Sequence, residues 1–270
     1  MSHSADLAFV IATARAAGAL IRERYGRVER QIKRGEEAVT EADRASQRLI
    51  IAELTARFPD DGVIGEENDD GSAITNRPPQ HGARVWVIDP LDGTNNFVGG
   101  LGNFAVCIGL LDTGMPVLGV VYDVCRDQIY AAEHGGGAWL EDRPIHALAT
   151  TMSDRSLLML TSNFLEADGH MPAWAAALHA QIRLKVRVLG SAALEAIQVA
   201  AGVAHGAVTV NAKLWDLAAA AAVAIEAGAH VTGLDGKPVF PIDLADYTGA
   251  KVPFAISAPG AQAEMLDLVR

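Results

Sequence analysis

Two aspartates separated by two residues follow an apolar segment and are the strongest candidates for chemistry in the sequence. They belong to the run Asp89–Thr94, which reads Asp-Pro-Leu-Asp-Gly-Thr and comes directly after Val85–Ile88. A short apolar segment is typical of a buried strand, and a strand end is where a sheet exposes groups to a ligand. Hard cations such as Mg²⁺ prefer carboxylate and carbonyl oxygens. The run therefore predicts that Asp89 and Asp92 bind one divalent cation or two neighbouring ones.

Two other interpretations of this run remain open. A tight Asp-Gly turn with Asp92 as a helix cap would need no metal. The Asp-x-Asp-Gly-Thr signature of phosphatases that form an aspartyl-phosphate would make the first aspartate a nucleophile. That signature has one residue between its aspartates, whereas two residues separate Asp89 from Asp92. Because adjacent strand residues point to opposite faces, the extra residue argues against covalent catalysis.

Three further acidic residues lie at the ends of predicted elements. Glu66 follows an apolar strand, Asp216 lies in the first turn of an Ala-rich helix, and Asp43 lies in the first turn of an earlier helix. Each also has a purely structural interpretation. A glutamate in an acidic loop is ordinarily solvated, and an aspartate in a first helical turn ordinarily caps the helix or offsets its dipole. Taken singly, none of the three indicates a site.

Together and in this order, these signals resemble the inositol monophosphatase family. The family is recognised by Gly-Glu-Glu, then Asp-Pro-Ile/Leu-Asp-Gly-Thr, then Trp-Asp near the start of a late helix. Here these are Gly65–Glu67, Asp89–Thr94 and Trp215–Asp216, and Val39–Asp43 looks like the family's upstream element. The resemblance covers essentially the whole chain. It implies a phosphoric monoester hydrolase that depends on Mg²⁺, is inhibited by Li⁺ and forms a homodimer.

The resemblance also implies a role for each matching residue. The backbone N–H groups of Gly93 and Thr94 would hold the phosphate, and Thr94 and Asp43 would form a hydrogen-bonded pair that orients the attacking water. Glu66 would assist through a water on the metal, so that water attacks directly and no covalent intermediate forms. The ligands of two or three Mg²⁺ ions would be Glu66, Asp89, the carbonyl of Leu91, Asp92 and Asp216.

Substrate recognition is expected from the second half of the chain. Ser191 and Ala192 resemble the family's element that contacts the hydroxyl-bearing part of the substrate. Family members that act on inositol phosphates often have a Glu shortly before Trp-Asp, but Thr209–Lys213 contains none. Lys213 is a candidate for a second anionic group. Histidinol phosphate, a sugar phosphate or a nucleotide 3′-phosphate can therefore replace an inositol ester, and a catalytically inactive metal-binding regulator is an alternative of another class.

The elements that must position these residues change character near residue 150. Residues 1–150 predict an α+β half with mainly antiparallel strands and most of the metal ligands, and residues 151–270 an α/β half that contains Asp216. The resemblance implies a layered αβαβα sandwich of the inositol monophosphatase and fructose-1,6-bisphosphatase type. The predicted helices are Ser4–Tyr25, Thr40–Arg57, Asn95–Val98, Pro172–Ala180, Ser191–Ala201, Leu214–Ala227 and a terminal helix to Leu268.

Composition narrows the class of partner. Lys and Arg number 22 against 33 Asp and Glu, so the formal net charge is −11. Without a basic stripe, neither a nucleic-acid nor a membrane partner is expected, and a small phosphorylated metabolite fits instead. Several divalent cations would let so acidic a protein hold an anion. No signal peptide or membrane-spanning run is predicted, which suggests a cytoplasmic protein in which Cys107 and Cys125 are buried free thiols.

Overall fold

The computed structural model describes residues 3–27, 31–32, 38–68, 75–79, 83–161, 170, 173–175, 184–244 and 247–269. Helix α1 (Ala5–Arg24) is capped by Ser4, whose hydroxyl accepts a hydrogen bond from the Leu7 amide at 3.1 Å. Its apolar residues recur at helical spacing, so one stripe is buried. Helix α1 packs against α2 (Glu41–Arg57), and the bounds of both agree with the predicted helices to within a residue. The fully buried residues of α1 are Leu7, Val10, Ala14, Ala17 and Ile21.

The first sheet has eight strands among the described residues and is mainly antiparallel, as predicted. Its spatial order is β10-β9-β8-β7-β6-β5-β3-β4, and only the pairing of β3 with β5 is parallel. Strands β1 (Gln31–Ile32) and β2 (Ala38–Val39) form a separate ladder. The strands of the first sheet are β3 (Gly62–Gly65), β4 (Thr75–Arg77), β5 (Arg84–Asp92), β6 (Ala105–Asp112), β7 (Met115–Asp123), β8 (Gln128–Glu133), β9 (Gly137–Leu140) and β10 (Arg143–Ile145).

The second sheet combines parallel and antiparallel pairs. Its order is β12-β11-β13-β15-β14, with parallel pairs among the first three strands and antiparallel pairs after β13. Neither β14 nor the edge strands β4 and β10 of the first sheet were predicted, because a strand of three residues is too short to show an alternating pattern. The strands are β11 (Leu157–Leu160), β12 (Lys185–Arg187), β13 (Gly206–Thr209), β14 (His230–Thr232) and β15 (Phe254–Ser257).

Two helices fill the space between the sheets. Helix α4 (Ala192–Ala200) contacts the second sheet, and α5 (Leu214–Glu226) lies across β6 and β7 of the first. A Cβ at Gly119 of β7 would lie 2.2 Å from the Ala219 carbonyl oxygen, so the glycine and the alanines of α5 allow this close approach. Helices α1 and α2 cover the first sheet outside, and α6 (Gln262–Leu268) packs on β15. The predicted αβαβα layering is confirmed.

The two halves share a core. One buried cluster joins Val87 and Val121 of the first sheet to Leu158 of the second and Val223 of α5. Such mixing fixes the helices relative to both sheets, which matters because the candidate site draws residues from each half. Short helix α3 (Thr94–Gly99) follows β5, as expected. Of the helix predicted over Pro172–Ala180, the structure describes residues 173–175, which are helical; the other residues lie outside the described part.

One expectation about the cysteines is wrong. Cys107 is buried in β6, but Cys125 is exposed. The reason is positional: β7 ends at Asp123, so Cys125 falls in the turn before β8 rather than in the apolar strand. The described residues contain no disulfide, since both thiols are free. Nor does any described helix combine the length and apolar character needed to cross a membrane.

Candidate metal centre

Three carboxylates from distant parts of the chain converge at one point. Asp89 and Asp92 come from the end of β5, and Asp216 from the first turn of α5. Each offers an oxygen, and these oxygens all lie within 4.8 Å of one another. Asp89 and Asp92 are buried, with 1% and 7% of their surface exposed. The structure thus brings together three of the residues that the sequence predicts as metal ligands.

The end of β5 is irregular, and this turns both of its aspartates inward. The register with β6 shifts between Asp89 and Asp92, so the two carboxylates do not alternate as in a regular strand. The Leu91 amide donates to Asp89 Oδ1 at 2.9 Å, and Ser46 Oγ of α2 donates to the Pro90 carbonyl at 2.9 Å. The bulge is therefore held from both the strand and the neighbouring helix.

Asp92 is held by the start of α4, one hundred residues away in sequence. Ser191 Oγ donates to Asp92 Oδ2 at 2.5 Å, the Ala193 amide donates to the same oxygen at 2.8 Å, and the Ala192 amide donates to Oδ1 at 3.2 Å. Ser191 is also the N-cap of α4. Ser191 and Ala192, which the resemblance placed on the substrate, thus also fix the orientation of a candidate metal ligand.

Asp216 is fixed by its own helix. The Lys213 amide donates to Asp216 Oδ2 at 2.6 Å, so this carboxylate caps α5 while facing the other aspartates. The Nζ of Lys213 donates to the Gly249 carbonyl at 2.6 Å. The capping interpretation and the metal-ligand interpretation of Asp216 are therefore compatible.

Glu66 lies beside the three aspartates, but its oxygens are not among those that lie within 4.8 Å of one another. Its amide donates to the Ile88 carbonyl at 3.2 Å, which keeps the end of β3 next to the end of β5. The neighbouring Glu67 exchanges backbone hydrogen bonds with the Gln47 side chain of α2, and its amide donates to Gln47 Oε1 at 2.9 Å. Besides burial, the negative charge of Glu66 raises the pKa of Asp89, so the two side chains interact.

Burial and mutual repulsion make the ionised aspartates costly. Burial raises the pKa of Asp89 well above its ordinary value, and the negative charges of Glu66, Asp92 and Asp216 raise it further. Burial raises the pKa of Asp216 as well, and the negative charges of Asp92 and Glu66 raise it further. Burial also raises the pKa of Asp92 to about 6, although the hydrogen bond from Ser191 opposes the shift. The fully ionised cluster is favourable only if positive charge offsets it.

The hydroxyl of Thr94 and the carboxylate of Asp43 lie next to this cluster. Thr94 Oγ1 lies 3.0 Å from Asp43 Oδ1 and 3.0 Å from the Leu91 carbonyl oxygen. Asp43 Oδ2 accepts from the Thr40 amide at 2.8 Å, so Asp43 caps α2 and contacts Thr94 at once. Burial raises the pKa of Asp43 to about 6. The hydrogen-bonded pair that the resemblance implies is present.

Gly93 forms the turn between β5 and α3. Its φ of +92° lies in the left-handed region, and a Cβ there would meet the Asn103 carbonyl oxygen at 2.9 Å. Only glycine fits this position without strain. The first N–H groups of a helix that starts here have no partner inside the helix.

The donor set fits a hard divalent cation. It consists of carboxylate and carbonyl oxygens without sulfur or imidazole, which is the chemistry that Mg²⁺ prefers. The raised pKa values of the buried aspartates show that positive charge would be favourable there. Several supporting residues were not predicted from the sequence: Ser46 and Gln47 of α2, and Asn96, Asn103 and Glu195, which contact the backbone of Leu189. Of these, Glu195 had a signal, because it is the one acidic residue in the apolar helix α4.

The pKa shifts predict how the metal-free protein responds to pH. Because the folded-state pKa values of Asp43 and Asp92 are about 6, above the ordinary 3.8, the folded state binds more protons than the unfolded state between these values. Its free energy of unfolding therefore falls as the pH rises through that window, and the raised pKa values of Asp89 and Asp216 act in the same direction.

Thermal unfolding in EDTA should accordingly give a Tm several degrees lower at pH 8 than at pH 5. Adding Mg²⁺ should raise the Tm more at pH 8, because cations and protons compete for the same carboxylates. A Tm in EDTA that rises with pH over this range would contradict the assignment of a strained acidic cluster.

Comparison with known proteins places the chain in a family. The model of the inositol monophosphatase family matches residues 3–265. A fructose-1,6-bisphosphatase/inositol-1-monophosphatase of Thermotoga maritima is 34% identical over 233 residues, which cover 86% of each chain. A histidinol-phosphatase of Chlorobaculum parvum is 34% identical over 227 residues, which cover 83% of each chain.

Solved structures agree with this similarity. The crystal structure of the extragenic suppressor protein suhB from Bartonella henselae matches with a TM-score of 0.87 and 27% identity, and the match covers 99% of both chains. The resemblance seen in the sequence motifs is confirmed. The chain belongs to the inositol monophosphatase family, a family of metal-dependent phosphoric monoester hydrolases.

Proposed function

We propose that this protein hydrolyses a small phosphate monoester with the help of Mg²⁺. The observation that carries the proposal is the convergence of Asp89, Asp92 and Asp216 oxygens within 4.8 Å, next to the hydrogen-bonded pair of Thr94 and Asp43. Buried acid alone repels a phosphate, whereas the same acid loaded with cations attracts it. Membership of a phosphatase family supports the same reaction class.

Five groups would hold two or three ions: the carboxylates of Glu66, Asp89, Asp92 and Asp216 and the carbonyl oxygen of Leu91. The ions, when bound, offset the acidic charge, lower the pKa of a bound water and stabilise the attacking and leaving oxygens of an in-line displacement. The protein fixes the geometry through the contacts described above. Asp92 is oriented by α4, Asp216 by the Lys213 amide, and Asp89 by the Leu91 amide.

The protein's own residues bind the phosphate and orient the water. The amides of Gly93 and Thr94 would donate to phosphate oxygens at the start of α3. A hydroxyl has one proton, so when Thr94 donates to Asp43, its oxygen lone pairs are free to accept from a water. Asp43 would thereby set the direction of the Thr94 hydroxyl, and Glu66 would orient the same water from the metal side. We propose direct attack by this water without a phosphorylated side chain.

The substrate is a small phosphorylated metabolite, and the matches with relatives of different specificity do not choose among esters. We propose that Ser191 and Ala192 lie against its hydroxyl-bearing part. Lys213 is proposed to recognise a second anionic group, because within the described residues its Nζ contacts a neutral carbonyl and forms no ion pair. A substrate with a second phosphate or a carboxylate would use that charge.

A panel of phosphate monoesters tests the function. Inositol 1-phosphate, fructose 1,6-bisphosphate, histidinol phosphate and a nucleotide 3′-phosphate are assayed with Mg²⁺ and with EDTA. We expect hydrolysis of at least one ester in Mg²⁺ and none in EDTA. Among the esters, we expect a preference for those that carry a second anionic group beside the phosphate that is hydrolysed. Mg²⁺ binding without turnover of any ester would favour the inactive regulator, and hydrolysis that survives EDTA would contradict the metal-dependent reaction.

A further inference from the structure

Glu195 is a buried acid that the proposed reaction does not use. It lies on α4, four residues after Ser191, and only 1% of its surface is exposed. Its Oε1 accepts hydrogen bonds from the Leu189 amide at 2.6 Å and the Gly190 amide at 3.0 Å. Its Oε2 is buried without a hydrogen-bond partner in the described part of the chain. The polar contacts of this side chain are thus concentrated on one turn of backbone.

That turn is held from the opposite side as well. The Leu189 carbonyl accepts from Asn96 Nδ2 at 2.7 Å and from Asn103 Nδ2 at 3.1 Å. Gly190 has a φ of +78°, a conformation that other residues rarely adopt. The backbone therefore needs these four hydrogen bonds to keep an unusual shape, and Glu195 supplies two of them.

The next three residues are those that orient Asp92. Ser191 Oγ and the amides of Ala192 and Ala193 all donate to the Asp92 carboxylate. Moving the Leu189–Gly190 turn would move these donors with it, because they follow directly in the chain. A residue that shapes the turn consequently controls where the Asp92 oxygens point.

We propose that Glu195 is a positioning residue: its side chain shapes the Leu189–Gly190 turn so that Ser191 and the first amides of α4 hold Asp92 in the orientation that binds a divalent cation. The inference rests on the proposed function, in which Asp92 is a metal ligand. Partners that orient metal ligands typically contribute about 10–100-fold to metal affinity or activity. The role requires a hydrogen-bond acceptor at Oε1 and not a negative charge.

Electrostatics agree with that requirement. Burial is the largest cause that raises the pKa of Glu195 to about 8, and the negative charge of Asp92 contributes to the same shift. At neutral pH the side chain is therefore mainly protonated, and it adds little negative charge beside Asp92. Glutamine has the same reach, keeps an accepting oxygen and is neutral, so it is a close mimic of this state.

Two substitutions of Glu195 distinguish the role of its accepting oxygen from the role of its charge. Glu195→Leu removes the acceptor at similar volume, and Glu195→Gln keeps it. Val199→Ala on the same helix is the control, since Val199 is fully buried and apolar. For each variant, the Kd of the metal-free protein for Mg²⁺ is measured by isothermal titration calorimetry, together with the Tm in EDTA and the Mg²⁺ concentration that gives half-maximal turnover.

We expect Glu195→Leu to raise the Kd for Mg²⁺ by about 10–100-fold, Glu195→Gln to stay close to wild type, and Val199→Ala to lower the Tm without changing the Kd. An unchanged Kd in Glu195→Leu would overturn the inference, as would equal losses in the Leu and Gln variants. Should Glu195→Leu fail to fold, Asn103→Ala tests the inference in its place. This variant removes the hydrogen bond from Asn103 Nδ2 to the Leu189 carbonyl, so it must also weaken Mg²⁺ binding.

Failure of this inference is distinguishable from failure of the proposed function. A wild-type protein that shows Mg²⁺-dependent hydrolysis, together with a Glu195→Leu variant of unchanged Mg²⁺ affinity, overturns only the role of Glu195. A wild-type protein that binds no Mg²⁺ overturns both.

Discussion

Replacing Asp89 with Asn should lower kcat by more than about 100-fold, because even residues that only orient a metal ligand contribute about 10–100-fold. Asp89 is 1% exposed and lies within 4.8 Å of the other two aspartates. Asn has the same shape, and its side-chain oxygen can still accept from the Leu91 amide, so the local bulge should persist. The substitution removes one negative charge at the point where the cations would bind.

The same substitution should not destabilise the metal-free protein. Burial and neighbouring negative charges raise the pKa of Asp89, so the ionised carboxylate is unfavourable without metal. We therefore expect a Tm in EDTA at pH 8 equal to or above that of wild type, while the rise in Tm caused by Mg²⁺ shrinks. Wild-type turnover in Asp89→Asn would contradict the assignment, and a large drop in Tm would show that the charge has a structural role instead.

Replacing Thr94 with Val should lower kcat by about 10²–10⁴-fold, the range by which a positioned proton-transfer group contributes. Valine keeps the shape but removes the hydroxyl that lies 3.0 Å from Asp43 Oδ1. Thr94 is not among the three carboxylates, so the Kd for Mg²⁺ should change little. The loss should therefore appear in turnover and not in metal binding, which is the opposite of the pattern expected for Glu195→Leu.

Thr94→Ser is the matched control, because serine keeps the hydroxyl and loses only a methyl group. We expect it to retain most of the turnover. If Thr94→Val and Thr94→Ser had the same effect, or if Thr94→Val turned over substrate like wild type, the proposed orientation of water by Thr94 and Asp43 would be wrong. Steady-state kinetics with the best ester of the panel measure both variants.

The sequence predicts those parts of the site that depend on local signals. Asp89 and Asp92 lie at the end of a fully apolar strand, and Asp216 and Asp43 lie in first helical turns, where acidic residues are favourable. These local preferences place each group at an element end, and the family resemblance then joins them. The structure shows that Asp43 and Asp216 act as caps and face the cluster, so the structural and functional interpretations do not exclude each other.

Other features depend on contacts that no local pattern reveals. The hydrogen bonds from Ser191 and Ala193 to the Asp92 carboxylate join residues about one hundred positions apart. Strands such as Thr75–Arg77 and His230–Thr232 are too short to show a period. Cys125 is exposed because it lies in the turn that follows β7. The homodimer, Li⁺ inhibition, cytoplasmic location and division at residue 150 stay predictions.

Anomalous diffraction from crystals soaked in Mn²⁺, as a substitute for Mg²⁺, tests the central claim most directly. We expect anomalous peaks at bonding distance, about 2.1 Å for Mg²⁺, from oxygens of Asp89, Asp92 and Asp216, with Glu66 and the Leu91 carbonyl completing the coordination. Carboxylates that stay free of any peak while Mn²⁺ binds elsewhere, or not at all, would contradict it.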